Sequence, residues 1–258
     1  LMIGCDLRTI PEKTLSIITN QEVIALNQDS LGMQAEVIER GKDYLILSKT
    51  IQKREGKLRA VALYNRSNVI KKIRVDFDKL YLSGKVQVRD LWNHQETGTF
   101  TEYYETLVPA HGTALIRLEG SKRHDRICYE AEYAFMQEYL PDNKQMAHFA
   151  YKAGASGDYI MKRLGNSPSN WAEFRKVYVS KGGEYQLKIT YFSGDKRDIQ
   201  IAVNESEYKQ SGLCSGAWDQ AAITTVTVKL HKGYNTIRLY NSNGWAPDID
   251  KMEISKSR

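Results

Sequence analysis

The chain has 258 residues, room for one large or two medium domains, and a formal net charge of +6. It holds no apolar run long enough for a helical membrane span and no low-complexity tract. The positive surplus lies between residues 35 and 128, where basic residues alternate with apolar ones, as in Lys71-Lys-Ile-Arg-Val75; this reads as a solvated sheet face, not a nucleic-acid groove. The three cysteines, Cys5, Cys128 and Cys214, are odd in number and far apart, without the paired spacing of a zinc or redox site.

Leu1-Met-Ile-Gly4 reads as a strand already under way, so the sequence is expected to be a piece of a longer protein. Thr9-Ile-Pro-Glu12 has the form of a capping box with proline in the first turn, which predicts a helix from Thr9 through Leu15, Ile17 and Ile18. A break near Asn20 precedes a second short helix carrying Val23, Ile24 and Leu26, closed by the turn Asn27-Gln-Asp-Ser-Leu-Gly32. A strand followed by helix is half of a β/α unit.

Leu1-Met-Ile-Gly-Cys-Asp-Leu-Arg-Thr-Ile10, then Val23-Ile-Ala-Leu-Asn-Gln-Asp-Ser-Leu-Gly32, resembles the last barrel strand and closing helix of the family 27 glycoside hydrolases, the α-galactosidase family. The resemblance implies that residues 1–34 end a (β/α)8 catalytic barrel. It also implies a retaining hydrolase whose two catalytic aspartates lie on earlier strands, so no catalytic residue is expected in this chain. Asp6 and Asp29 read as a partner for Arg8 and a turn former.

Residues 35–119 read as strands: Tyr44–Leu47, Leu58–Tyr64, Ile73–Phe77, Val86–Arg89, Thr99–Thr106 and Thr113–Leu118, with turns such as Asn65-Arg-Ser67 spaced for an antiparallel β-sandwich. Asp90-Leu-Trp-Asn93 and Val108-Pro-Ala-His-Gly112 resemble the C-terminal β-sandwich of the same family. His94 and His111 have no metal-ligand spacing and read as turn histidines bonded to backbone; Trp92 reads as core. Residues 120–127, charged and without periodicity, read as a linker.

Residues 128–258 form a second all-β unit, expected to be a jelly roll. Its last two strands, Tyr234–Tyr240 and Lys251–Ile254, are expected to pair across a polar stretch, Asn241-Ser-Asn-Gly-Trp-Ala-Pro-Asp-Ile-Asp250, read as a surface turn that leaves Trp245 without an apolar reason to be there. Tyr129-Glu-Ala-Glu132 reads as a strand with both glutamates on one face. Should first and last strands be neighbours, these acids meet further carboxylates and together favour a cation.

Tyr129-Glu-Ala-Glu132, Gly182-Gly-Glu-Tyr185, Leu230-His-Lys-Gly-Tyr-Asn-Thr-Ile237 and Pro247-Asp-Ile-Asp250 resemble a carbohydrate-binding module of the families 6 and 35 type. That resemblance implies a structural calcium held by Glu130, Glu132 and Asp250; the alternative is that these acids face water as ordinary strand polars. It also implies a sugar site on the loops at one end, with Trp245 as the expected stacking ring beside Asn243 and Asp248, and Asn166, Trp171 and Trp218 as further candidates, although Trp171 also reads as core. Aromatic rings in polar turns supply the stacking face such a site needs. The expected partner is a galactose-containing or plant-type glycan, and the expected location periplasmic or extracellular. A binding-only protein and a purely structural one are the rival readings.

Overall fold

The computed structural model describes residues 8–51, 56–136 and 146–257. The expected strand at Leu1–Gly4, and Asp6 with it, lie outside them. The chain divides into two units, Leu1–His124 and Asp125–Arg258.

The first unit opens with α1 (Glu12–Ile18) and α2 (Gln21–Asn27). α1 starts later than the capping box predicts: its N-cap is Pro11, in an extended conformation, and no side chain caps it. The residue before a proline avoids helical backbone angles, so Ile10 cannot be a helical residue joining Thr9 to Glu12. Asn20 is the real boundary. Its Oδ1 accepts from the backbone N–H of Glu22 and Val23, capping α2, while its Nδ2 donates to Leu91 O at 2.8 Å. Leu26 of α2 packs against Ile51, Leu58 and Ala60. Asp29 forms a turn, as its Oδ1 accepts from the Leu31 N–H.

Eight strands follow: β1 (Glu36–Arg40), β2 (Tyr44–Ile51), β3 (Leu58–Asn65), β4 (Lys71–Asp76), β5 (Leu82–Asp90), β6 (Gln95–Phe100), β7 (Tyr103–Val108) and β8 (Thr113–Arg123). Among the described residues they form an antiparallel sheet in the order β1-β2-β3-β8-β5-β6 and a separate β4-β7 pair. Alternation on β4 sends Ile73 and Val75 into the core with Val61, Leu63, Val88 and Leu118, while Lys72 and Arg74 face water and pair with Glu105 and Asp76. β8 runs to Arg123 and pairs with β5 there, so the first residues of the expected linker are sheet. Both histidine turns are left-handed, with φ 55 at His94 and at His111. Their rings bond side chains, not backbone: His94 Nδ1 lies 2.7 Å from Glu22 and His111 Nε2 2.7 Å from Asn68. Trp92 is only half-buried and donates to Thr113 O.

The second unit comprises β9 (Cys128–Glu130), β10 (Phe135–Met136), β11 (His148–Tyr151), β12 (Tyr159–Lys162), β13 (Gly165–Val179), β14 (Gly183–Phe192), β15 (Arg197–Val203), β16 (Ser206–Leu213), β17 (Ala221–Leu230), β18 (Gly233–Trp245) and β19 (Asp248–Lys256). They make two antiparallel sheets, β10-β13-β18-β15-β16 and β11-β12-β19-β14-β17, with β9 on β19. Inward residues of the two sheets, among them Leu187, Ile189, Ile201, Ile237, Leu239 and Met252, share one core. Each such side chain fully buried stabilises the unit by roughly 1.5–3 kcal/mol.

Two expectations change here. β18 and β19 do not pair; they belong to opposite sheets, and the connection between them is buried, with Ala246 0% exposed. Burial is tolerated because the Ala246 N–H donates to Leu164 O and its carbonyl accepts from Arg197. The glutamate pair is not on one strand either: β9 stops at Glu130, and a 3-10 turn, Ala131–Tyr133, carries Glu132. First and last strands are nevertheless neighbours, with Glu130 opposite Lys251.

Candidate functional site

The end of the second unit where β12 leaves its sheet and β19 enters holds a cleft of about 190 Å³ lined by Lys162, Arg163, Arg197, Trp218 and Asp248. Asp248 opens β19 and is 5% exposed. Lys162 Nζ stands 3.6 Å from its carboxylate. Burial pushes the Asp248 carboxyl above its ordinary range, against the pull of Lys162 and Arg197. Arg197, first residue of β15, ion-pairs Asp195 at 2.6 Å and donates to Ala246 O at 3.1 Å. Its guanidinium lies 4.5 Å from the Trp218 ring centre, and that ring is 44% exposed. Lys162 and Arg197 thus act on one carboxylate beside an open indole, and Arg163 lines the same cleft.

Arg163 reaches the cleft through a left-handed backbone, φ 59, a conformation costing a non-glycine residue about 1–2 kcal/mol. Asn170, 3% exposed, holds this bend: its Nδ2 lies 2.7 Å from both Arg163 O and Gly165 O, while its Oδ1 accepts from the Ala147 N–H. At Gly165, φ 92, a Cβ would lie 2.4 Å from Gly244 O, so only glycine lets the start of β13 approach the end of β18.

The candidates named from sequence do not share one place. Trp218 and Asp248 line the cleft. Trp245, half-buried at the end of β18 opposite Gly165, adjoins it through Arg163, whose guanidinium lies 5.4 Å from the ring centre. Asn166 and Asn243 are exposed and are not in the cleft lining; the Asn243 N–H donates to Asn241 Oδ1. Trp171 belongs elsewhere, under Arg238 at 4.4 Å, with Arg238 ion-paired to Glu173 at 2.6 Å. Lys162, Arg163 and Arg197 are cleft residues that sequence reasoning missed. Nothing in their local patterns separates them from other surface cations; the fold alone brings them together.

A second constellation joins β9, the 3-10 turn, β19 and the Ser156–Asp158 turn between β11 and β12. Ser156 Oγ donates to Glu130 Oε1 at 2.9 Å and its N–H to Asp250 Oδ1 at 2.8 Å. Glu132 Oε1 crowds Gly157, where a Cβ would sit 2.6 Å from it. Glu130 Oε2 is buried with no hydrogen-bond partner among the described residues. Burial, with Glu130 adding to it, lifts the Asp250 carboxyl to about 6. Among the described residues no three Asp, Glu, His or Cys side chains already stand as a metal cluster. What is present is a buried carboxylate, Asp250, and a half-buried one, Glu130, converging on one serine, with a third acid beside the next residue.

Comparison with known proteins places the first unit. A probable α-galactosidase of Dictyostelium discoideum is 37% identical over 124 residues, covering 46% of this chain and 31% of its own length. Among solved structures, an isomalto-dextranase of Arthrobacter globiformis T6 complexed with panose shares the fold over 94% of this chain and 43% of its own, at 22% identity and a TM-score of 0.55. A family 35 carbohydrate binding module from Clostridium thermocellum is 28% identical over 50% of this chain and 97% of its own, with a TM-score of 0.45. The chain spans about a third of the length of the first curated relatives it matches. Residues 42–118 match the alpha galactosidase C-terminal beta sandwich domain.

Proposed function

We propose that the chain is the C-terminal part of an α-galactosidase-like retaining glycoside hydrolase and that its second unit is a jelly-roll module binding carbohydrate. Hydrolysis of terminal α-galactosyl residues belongs to the whole protein, through a carboxylate pair. The domain match over residues 42–118 and the similarity to α-galactosidases support that half. One observation carries the other half: the exposed Trp218 ring shares a cleft with Asp248 and three cations. An indole offers the apolar face on which a sugar ring stacks, and fixed charged groups read its polar substituents. Lys162, Arg163 and Arg197 outnumber the two acids beside them, Asp248 and Asp195, which favours a sugar bearing a carboxylate over a neutral one. Galactose-containing or plant-type glycans with acidic residues are therefore the expected ligands, met in the periplasm or outside the cell.

Glu130, Glu132 and Asp250 fit a calcium ion, on the grounds of the orphaned Glu130 Oε2 and an oxygen-only donor set. A bound calcium supplies charge neutralisation for these acids, of which Asp250 is buried and the glutamates half-buried. The chain's own residues then tie β9, β19 and the Ser156–Asp158 turn into one unit. Screening the chain on an array of neutral and acidic plant oligosaccharides tests the binding half. Retention on acidic or galactose-bearing glycans is expected; absence of retention on every sugar would overturn it.

A further inference from the structure

Trp218 is seated by the turn between β14 and β15. Ser193, fully buried, donates its N–H to Ser215 Oγ at 2.8 Å, and Ser215 returns its own N–H to Ser193 O at 2.8 Å. Ser215 Oγ is also within hydrogen-bond reach of Ala217 O, at 2.9 Å, and Ser193 Oγ donates to Asp195 O at 2.7 Å. This reciprocal clamp fixes Gly194 against the segment carrying Trp218. A Cβ at Gly194 would lie 2.5 Å from Trp218 Nε1, 2.6 Å from Cδ1 and 3.0 Å from Cε2. The Gly194 backbone is not among the left-handed glycines, so its own conformation does not call for glycine; the indole does. Arg197 holds the ring too, from 4.5 Å, and is itself fixed by Asp195 and Ala246 O.

We infer that Gly194 is a positioning residue for sugar recognition, its missing side chain being the seat that holds the Trp218 indole in the cleft. The inference rests on the cleft being the sugar site. Adding a methyl group at residue 194 forces something to move. Trp218, partly exposed on a loop, moves more readily than the buried serine clamp, so the ring is displaced while the fold persists.

The test is Gly194→Ala in the full chain, alone and combined with Trp218→Ala, titrated with galacturonic acid and melted in parallel. Gly194→Ala should bind about tenfold more weakly, the scale of one lost aromatic contact, at an unchanged melting temperature. It should have no further effect in the Trp218→Ala background, as coupling through one shared group requires. Wild-type affinity in Gly194→Ala, or an equal loss with and without Trp218, overturns the inference. If the wild-type chain binds no sugar, the functional reading fails by itself, and acrylamide quenching of the Trp218 emission, taken as the difference from Trp218→Ala, still decides the seat. Quenching that rises in Gly194→Ala supports it; unchanged quenching overturns it.

Discussion

In the first unit Glu22 takes two hydrogen bonds from Arg89, each 2.7 Å long, and a third contact from His94, so the carboxylate linking α2 to the end of β5 is saturated. The hydrogen bonds from Arg89 hold its carboxyl down to about 2. In the second unit Asp248 is more deeply buried, yet its nearest cation, Lys162, stands 3.6 Å away and open space adjoins both. Asp250 and Glu130 both accept from Ser156, Glu130 Oε1 also from the Cys128 thiol at 3.6 Å, and Glu130 Oε2 has no partner among the described residues. Charge at Glu22 is arranged to close contacts; charge at Asp248, Asp250 and Glu130 has capacity to spare, unlike Glu173 in the same unit, which Arg175 and Arg238 fill. Spare polar capacity under burial is costly for folding alone and marks a place where a ligand completes the set.

The largest effect expected from that contrast is at the acidic constellation. Calcium at about a hundred times its Kd should stabilise the second unit by about 3 kcal/mol, and Glu130→Ala should remove the gain. Differential scanning calorimetry with calcium and with EDTA measures it, and equal melting curves would remove the site. Next comes Trp218→Ala, which should weaken sugar binding about tenfold or more and change stability by less than about 0.5 kcal/mol, as befits a partly exposed ring. A loss of several kcal/mol would instead make Trp218 a core residue.

The saturated pair in the first unit gives a smaller effect of opposite kind. Because the Glu22 carboxyl is lowered in the folded state, its stabilisation is full above the unfolded value near 4.5 and is lost as pH falls toward about 2. Solvent screening at this half-open site limits it to about 1 kcal/mol. Melts of wild type and Glu22→Gln between pH 6 and pH 2, about the span of that titration, should converge at the acid end; a difference that persists there would show that charge is not the cause. Arg163→Gly is the smallest: relieving φ 59 should leave the second unit unchanged or about 0.5 kcal/mol more stable, while acidic sugars bind more weakly. Lower stability would show that the left-handed bend carries no strain.

Local pattern made much of this fold legible. The alternation of Lys72 and Arg74 with Ile73 and Val75 gives β4 and its solvent face, and Asn20 marks the break between helices. The first and last strands of the second unit, on whose being neighbours the reading of their acids depended, do pair. The misses come where tertiary structure overrides local signals. Glu132 leaves the strand because β9 ends in a 3-10 turn, and Trp245 leaves the surface turn because a crossover between sheets buries Ala246. The cleft was half legible: Trp218 and Asp248 were named, whereas Lys162, Arg163 and Arg197 come from separate segments whose meeting depends on topology.

The central claim is that this cleft binds carbohydrate by stacking on Trp218 and by its cations. Titration calorimetry of the full chain with galacturonic acid and with galactose, at low and high salt, tests it most directly. The account predicts saturable binding that favours the acidic sugar, weakens as salt screens the cations, and falls about tenfold or more in Trp218→Ala. Binding that is indifferent to salt and as tight in Trp218→Ala as in the wild type would contradict it.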